Sequence, residues 1–218
     1  MDWAALAGRA EERYHDGLER MPDAPDVRQR QLTRVANAAW AAGLCHLMQG
    51  RVEEACAWFD RAADRYRESF SDAPAGSWGR LIAVVKARLL EDADDGALEA
   101  ARWALSQGPA SADSPIGRYA AALALLVLGD DAEAGRLAES LRRGPEEEFP
   151  KPVADALAGL AGRDGELYAD GLARLLASFE ARSGFLEDVP VADTVMVLEA
   201  LARPRGLAVE PRSRLLGP

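Results

Sequence analysis

His15, His46, Cys45 and Cys56, together with Ser106, Ser111 and Ser114 around a polar loop, are the side chains here that could act as nucleophiles, bases or ligands. Nucleophilic catalysis needs a base beside the nucleophile and a third group to orient that base. Neither histidine has such a context, and His46 reads as a structural histidine rather than a base. A zinc site needs closely spaced ligands, yet there is no CxxC and the two histidines lie far apart in the chain. The paired Glu-x-x-His segments of di-iron bundles are absent as well. GRDG (162–165) and the single glycines read as turns between helices, not as a phosphate loop between a strand and a helix. The acidic runs EDADD (91–95) and EEE (146–148) stand at a hairpin turn or before a helix, where carboxylates favour the N-terminal end of the helix dipole. The expectation is a protein with no catalytic residue, no metal and no cofactor.

The elements that hold these residues are helical. The chain has 218 residues and is 49% apolar but only 6% aromatic, a mix rich in Ala, Leu and Arg that favours helix over sheet. No apolar run is long or charge-free enough to span a bilayer. The first twenty residues lack the basic start and apolar stretch of a signal peptide, so a cytoplasmic protein is expected. A formal charge of −10 argues against nucleic acid, which demands a basic footprint, and permits a basic protein partner. Lys86 and Lys151 are the only lysines, a bias that fits a GC-rich genome ahead of a salt-adapted cytoplasm. Both cysteines read as small buried hydrophobes in a reducing compartment.

Helical periodicity predicts a first helix over 2–19 with Asp2 as its N-cap, broken by MPDAPD. A long helix follows over 26–49, closed by Gly50, and its partner runs over 52–68 with Ala55, Phe59, Ala62, Ala63 and Tyr66 inward. Further pairs are expected at 78–90/97–105, 114–128/131–143 and 153–161/166–182, with a last helix at 191–202. About ten helices result, forming hairpins that bury their apolar faces by stacking. One domain over 1–218 is expected, with 1–25 and 184–218 as end caps.

The spacing of Gly43, Gly50, Ala55, Phe59 and Ala62 in GLCHLMQGRVEEACAWFDRA resembles the tetratricopeptide repeat, as does that of Ala122, Gly129 and Ala134 in the third hairpin. Small residues at 43/55 and 122/134 let two antiparallel helices cross closely. The resemblance implies an all-α, right-handed superhelix of stacked hairpins whose first helices line a concave groove. Aligned on Gly43, it places Asn37 and Trp40 in that groove, and likewise Lys86 and Tyr119, as residues for capturing a peptide, with interhelical packing as the alternative for Trp40 and Tyr119. The implied function is non-catalytic binding of one protein partner through the groove or an end face.

The segment Leu167–Pro218, from ELYADGLARLLASFEARSGFLEDVP to the closing RGLAV and LLGP, resembles the all-helical immunity proteins numbered family 49 in bacterial polymorphic toxin systems. That resemblance implies stoichiometric blocking of a toxin. A small-molecule sensor using the superhelix cavity is a third reading, and would need a deep pocket with converging polar groups.

Overall fold

The structure, a computed structural model, describes residues 1–91 and 94–217. Among the described residues it is 74% helix, with ten α-helices and no strand. The chain divides into two compact units. The first runs from Met1 through the fourth helix and includes Ser183–Val191 and the residues from Arg214 on. The second holds the fifth to ninth helices and Ala192–Ser213.

The first unit begins with α1 (Trp3–Glu19), α2 (Pro25–Leu47), α3 (Val52–Ser71) and α4 (Trp78–Leu90). Asp2 caps α1 as expected, its carboxylate accepting from the Ala5 amide at 2.9 Å. Pro25 opens α2, where a missing N–H costs nothing. Gly50 turns the chain into α3 with φ of 71°. α2 packs between α1 and α3, and α4 packs on α3. The short turn Leu186–Asp188 also lies on α2, and Arg13 on α1 pairs with Glu187 at 3.2 Å. α2 is therefore covered along most of its length: every residue from Ala38 to His46 is buried.

The closeness of the α2–α3 crossing rests on one glycine. A Cβ on Gly43 would stand 2.6 Å from the Phe59 ring, nearer than carbon atoms can approach. The neighbour of Gly43 is thus the aromatic ring, one helical turn beyond the Ala55 expected there. Ala55 and Ala62 are buried beside it, and Phe59 is wholly enclosed, tilted against Trp40 at 5.2 Å.

The second unit comprises α5 (Asp94–Ser106), α6 (Pro115–Leu128), α7 (Asp131–Arg143), α8 (Lys151–Gly162), α9 (Gly165–Glu180) and α10 (Asp193–Ala202). Helices adjacent in sequence from α5 to α9 pack on one another, and α10 packs on α8 and α9. The 78–90/97–105 pair expected as a hairpin is divided, α4 falling in the first unit and α5 in the second. Gly129 ends α6 at φ of 77°, and Asp130 caps α7 by accepting from the Glu133 amide at 3.2 Å. Ala122 and Ala134 are both fully buried. At GRDG the positive φ falls on Arg163, while Asp164 caps α9 by accepting from Leu167 at 3.0 Å.

α8 and α9 touch backbone to backbone. A Cβ on Gly159 would lie 2.5 Å from the Tyr168 amide nitrogen, and one on Gly171 would lie 2.7 Å from that of Ala156. The buried Tyr168 hydroxyl donates to the Glu199 carboxylate of α10 at 2.6 Å. Glu199 also accepts from the amides of Val209 at 3.2 Å and Glu210 at 2.8 Å, which holds the chain after α10 onto this unit.

Across α7, α8 and α9, Asp155 accepts from Arg142 at 2.6 Å and from Arg174 at 2.7 Å. Burial alone would raise the Asp155 carboxyl, but the hydrogen bonds from Arg174 and Arg142 outweigh it and hold it below the ordinary range. Its folded value being depressed, its contribution is complete above the unfolded value of about 3.9 and fades as the pH falls through the folded one. Both guanidiniums are over a third exposed, so Asp155→Asn should cost only about 1 kcal/mol near neutrality. Urea unfolding at a series of pH values should show that difference closing in acid; a difference that persists there would mean the loss is not electrostatic.

Candidate partner-binding site on the second and fourth helices

The four residues proposed to line a groove are placed unequally. Trp40 and Tyr119 are interior, at 4% and 8% exposure, and this corrects their expected role as exposed aromatics. Trp40 lies in the covered stretch of α2, against Phe59. Tyr119 lies in α6, which is flanked by α5, α7 and α8, and it meets Phe149 at 5.4 Å. Burial pushes its phenol far up, with the Asp193 charge adding to the effect. Lys86 is likewise buried rather than groove-lining, its ammonium 5.6 Å from the centre of the Trp40 ring. Only Asn37 keeps part of its surface open.

Asn37 belongs to a polar row that sequence reasoning missed. Gln29, Thr33 and Asn37 recur at four-residue steps on α2 and therefore share one face. Arg80, in the first turn of α4, reaches that row: its Nε donates to the Thr33 hydroxyl at 3.1 Å and its Nη2 donates to Gln29 Oε1. Each acceptor is fixed in turn. The Thr33 hydroxyl donates to the Gln29 carbonyl at 2.9 Å, which leaves a lone pair for Arg80. The Gln29 side-chain amide donates to the Asp26 carbonyl at 3.0 Å, which leaves its oxygen for the guanidinium. Tyr66 of α3 donates to Asn37 Oδ1 at 2.6 Å, so the Asn37 NH2 is the free end of that amide.

Electrically, Arg80 differs from the ion-paired arginines of this chain, as do Arg118 and Lys151, which also bond neutral acceptors. Arg28 pairs with Glu68, Arg88 with Asp60, Asp64 and Glu91, and Arg142 with Glu139 and Asp155. Arg80 is half-buried against neutral acceptors, and burial with no countercharge lowers its affinity for its proton. Its Nη1 and the Asn37 Nδ2 make no hydrogen bond among the described residues and are not sealed from solvent. The row thus has N–H groups of Arg80 and Asn37 without a partner among the described residues, on a face that carries one cation. The sequence offers no clear signal for it, because Gln29, Thr33 and Asn37 stand among Asp26, Arg28, Arg30, Gln31 and Arg34 in a polar stretch.

The other candidate groups are occupied or scattered. His46 is buried, with Nε2 2.6 Å from Glu11 Oε1 and Nδ1 without a partner. His15 is exposed, edge-on to Tyr14 at 5.3 Å and to Trp58 at 6.1 Å. Among the described residues no three His, Cys, Asp or Glu side chains are placed to share a metal ion. Of the run 91–95, Glu91 pairs with Arg88 at 2.7 Å, while Asp92, Ala93 and the side chain of Asp94 lie outside the described residues. The Glu146–Glu148 run is exposed. No described helix is long and apolar enough to cross a membrane.

Neither cysteine is bonded to another. Burial pushes the Cys45 thiol up to about 11, so at neutral pH it is a thiol and a poor nucleophile. Cys56 is half-buried and donates to the Glu91 carbonyl at 3.2 Å. Iodoacetamide applied to the native protein should therefore label Cys56 first and leave Cys45 until unfolding, as read by peptide mass. Early labelling of Cys45 would show that α2 opens readily. Comparison of the chain with protein-family models, with curated proteins and with solved structures finds no match.

Proposed function

We propose that this is a non-catalytic helical-hairpin protein that binds one protein partner, with the hairpins of each unit following the tetratricopeptide pattern. The observation that carries the reading is the donor row of Gln29, Thr33, Asn37 and Arg80. Arg80 Nη1 and Asn37 Nδ2 make no hydrogen bond among the described residues, which supports a partner that accepts from one of them. Packing supports it too: Gly43 under Phe59, and Gly159 and Gly171 in the α8–α9 contact, are devices for stacking helices closely. A rigid scaffold with a pre-set polar face suits recognition, since little ordering cost then falls on the binding step.

The net charge of −10 adds long-range steering toward a partner whose surface is basic overall. A toxin-blocking role, as the family-49 immunity resemblance implies, is the specific form this takes if that partner is a toxin. The test is affinity capture on the purified chain, followed by calorimetry with the captured protein. One-to-one binding with both components chemically unchanged is expected. A partner that emerges cleaved or modified would overturn the non-catalytic reading.

A further inference from the structure

We propose that the strap Ser183–Val191 is an intramolecular occupant of a peptide-receiving surface on α1 and α2, which takes an extended, acidic and aliphatic segment of the partner when the strap leaves. The inference rests on the partner-binding reading above. It adds to the polar row a second surface on the same unit, with a device that controls it.

The strap lies on its unit as a bound peptide would. Pro190 disfavours helix at the residue before it, and Val189 is extended, with φ of −99° and ψ of 103°. Side chains of an extended chain alternate between two faces, and burial alternates in that way from Leu186 to Val191. Leu186 and Asp188 are exposed, whereas Glu187 is half-buried and Val189 and Val191 are buried, at 3% each. The Leu186–Asp188 turn lies on α2, and Glu187 meets Arg13 of α1 at 3.2 Å. The inward side therefore reads acid, aliphatic, aliphatic at steps of two residues. The amides of Asp188, Val189 and Val191 donate to the carbonyls of Phe185, Leu186 and Val189, within the strap itself. What these three residues leave for holding the unit is side chains, and a separate segment can supply the same ones.

Two features make the occupant displaceable. Glu187 and Asp188 have φ of 55° and 59°, a left-handed backbone that is costly for residues with a Cβ. A partner's segment, not tethered between α9 and α10, need not adopt it. The Arg13–Glu187 pair is also open to solvent on the Arg13 side, which is 46% exposed, so it holds weakly. Tethering works the other way. A segment joined to the chain competes as though present at about millimolar concentration, which excludes a weak rival until the strap is loosened. The surface is thus closed at rest and opens to a segment that binds it better than the strap does.

The test uses the full chain and a fluorescein-labelled, C-amidated peptide GFLEDVPVA, the sequence of residues 184–192. A second peptide carries serine in place of both valines. Fluorescence anisotropy should show the first peptide binding the Val189→Ser and Glu187→Arg chains saturably, at least tenfold tighter than it binds wild type. The serine peptide should bind neither. Arg13→Gln, added to Val189→Ser, should weaken binding about threefold, since it removes the partner of the peptide's glutamate. Circular dichroism checks that each variant folds, and Glu187→Arg changes no fully buried side chain.

Absence of saturable binding to the folded variants, equal binding by wild type, or equal binding of the serine peptide would overturn the assignment. Unfolding of Glu187→Arg would overturn it too, by making the strap part of the core. If wild type and folded Val189→Ser capture the protein partner equally well, the strap does not control binding and the partner-binding reading stands. If the peptide binds the variants while no chain captures a partner, the surface stands and the partner-binding reading fails.

Discussion

Phe59→Ala should lower the free energy of unfolding by about 3–5 kcal/mol, the loss usual for a wholly buried phenylalanine. Phe59 has no exposed surface, fills the space that Gly43 leaves on α2, and is tilted against Trp40. Its removal would leave the α2–α3 crossing hollow, because neither Gly43 nor Ala55 can reach into the gap. Urea denaturation followed by circular dichroism measures this directly. A change under about 1 kcal/mol, within the range of ordinary surface substitutions, would mean that the first unit closes around the cavity and does not depend on this contact.

Gly159→Ala should destabilise by about 3 kcal/mol, the upper end for overpacking, although it adds a single methyl group to a helix. Alanine is the better helix former, so propensity alone predicts a gain of about 1 kcal/mol. Geometry decides against it: the new Cβ would sit 2.5 Å from the Tyr168 amide nitrogen and 2.7 Å from its Cα. These are backbone atoms, which cannot rotate away as a side-chain tip can, so α8 and α9 must separate. That separation would also strain the Tyr168–Glu199 hydrogen bond. Gly162→Ala, with nothing within 4 Å of the added carbon, is the matched control and should change stability little. A neutral or stabilising Gly159→Ala would show that propensity outweighs the close approach.

Both glycines illustrate how the sequence carried the fold. Helix positions follow from apolar periodicity and punctuation, and the expected spans match α1 to α10 to within a few residues because Asp2, Gly50, Gly129 and Asp164 are local signals acting on local structure. The contact of Gly43 with Phe59 instead of Ala55 is a matter of one helical turn. Spacing along a helix gives the face and not the exact partner on the next helix. Gly159 and Gly171 look like helix-weakening residues in sequence, and only the α8–α9 approach reveals their purpose.

The candidate site was much less legible, for a physical reason. Trp40 and Tyr119 were assigned to an open face by repeat alignment, but exposure depends on what else covers the helix. α2 is covered by α1, α3 and the Leu186–Asp188 turn, the last of which comes from well over a hundred residues further along. No local pattern contains that information. Arg80 was invisible in the same way, since its meaning depends on Gln29 and Thr33, some fifty residues earlier. Asn37 was found through the alignment, and the structure shows what orients it, the Tyr66 hydroxyl.

The most direct test of the central claim is parallel affinity capture with the wild-type chain and folded Arg80→Gln, each followed by calorimetric titration of the captured protein. The account predicts a one-to-one complex for wild type, weakened about tenfold by Arg80→Gln, with neither component chemically altered. Retention of no specific protein by wild type, or turnover of the captured protein, would contradict it.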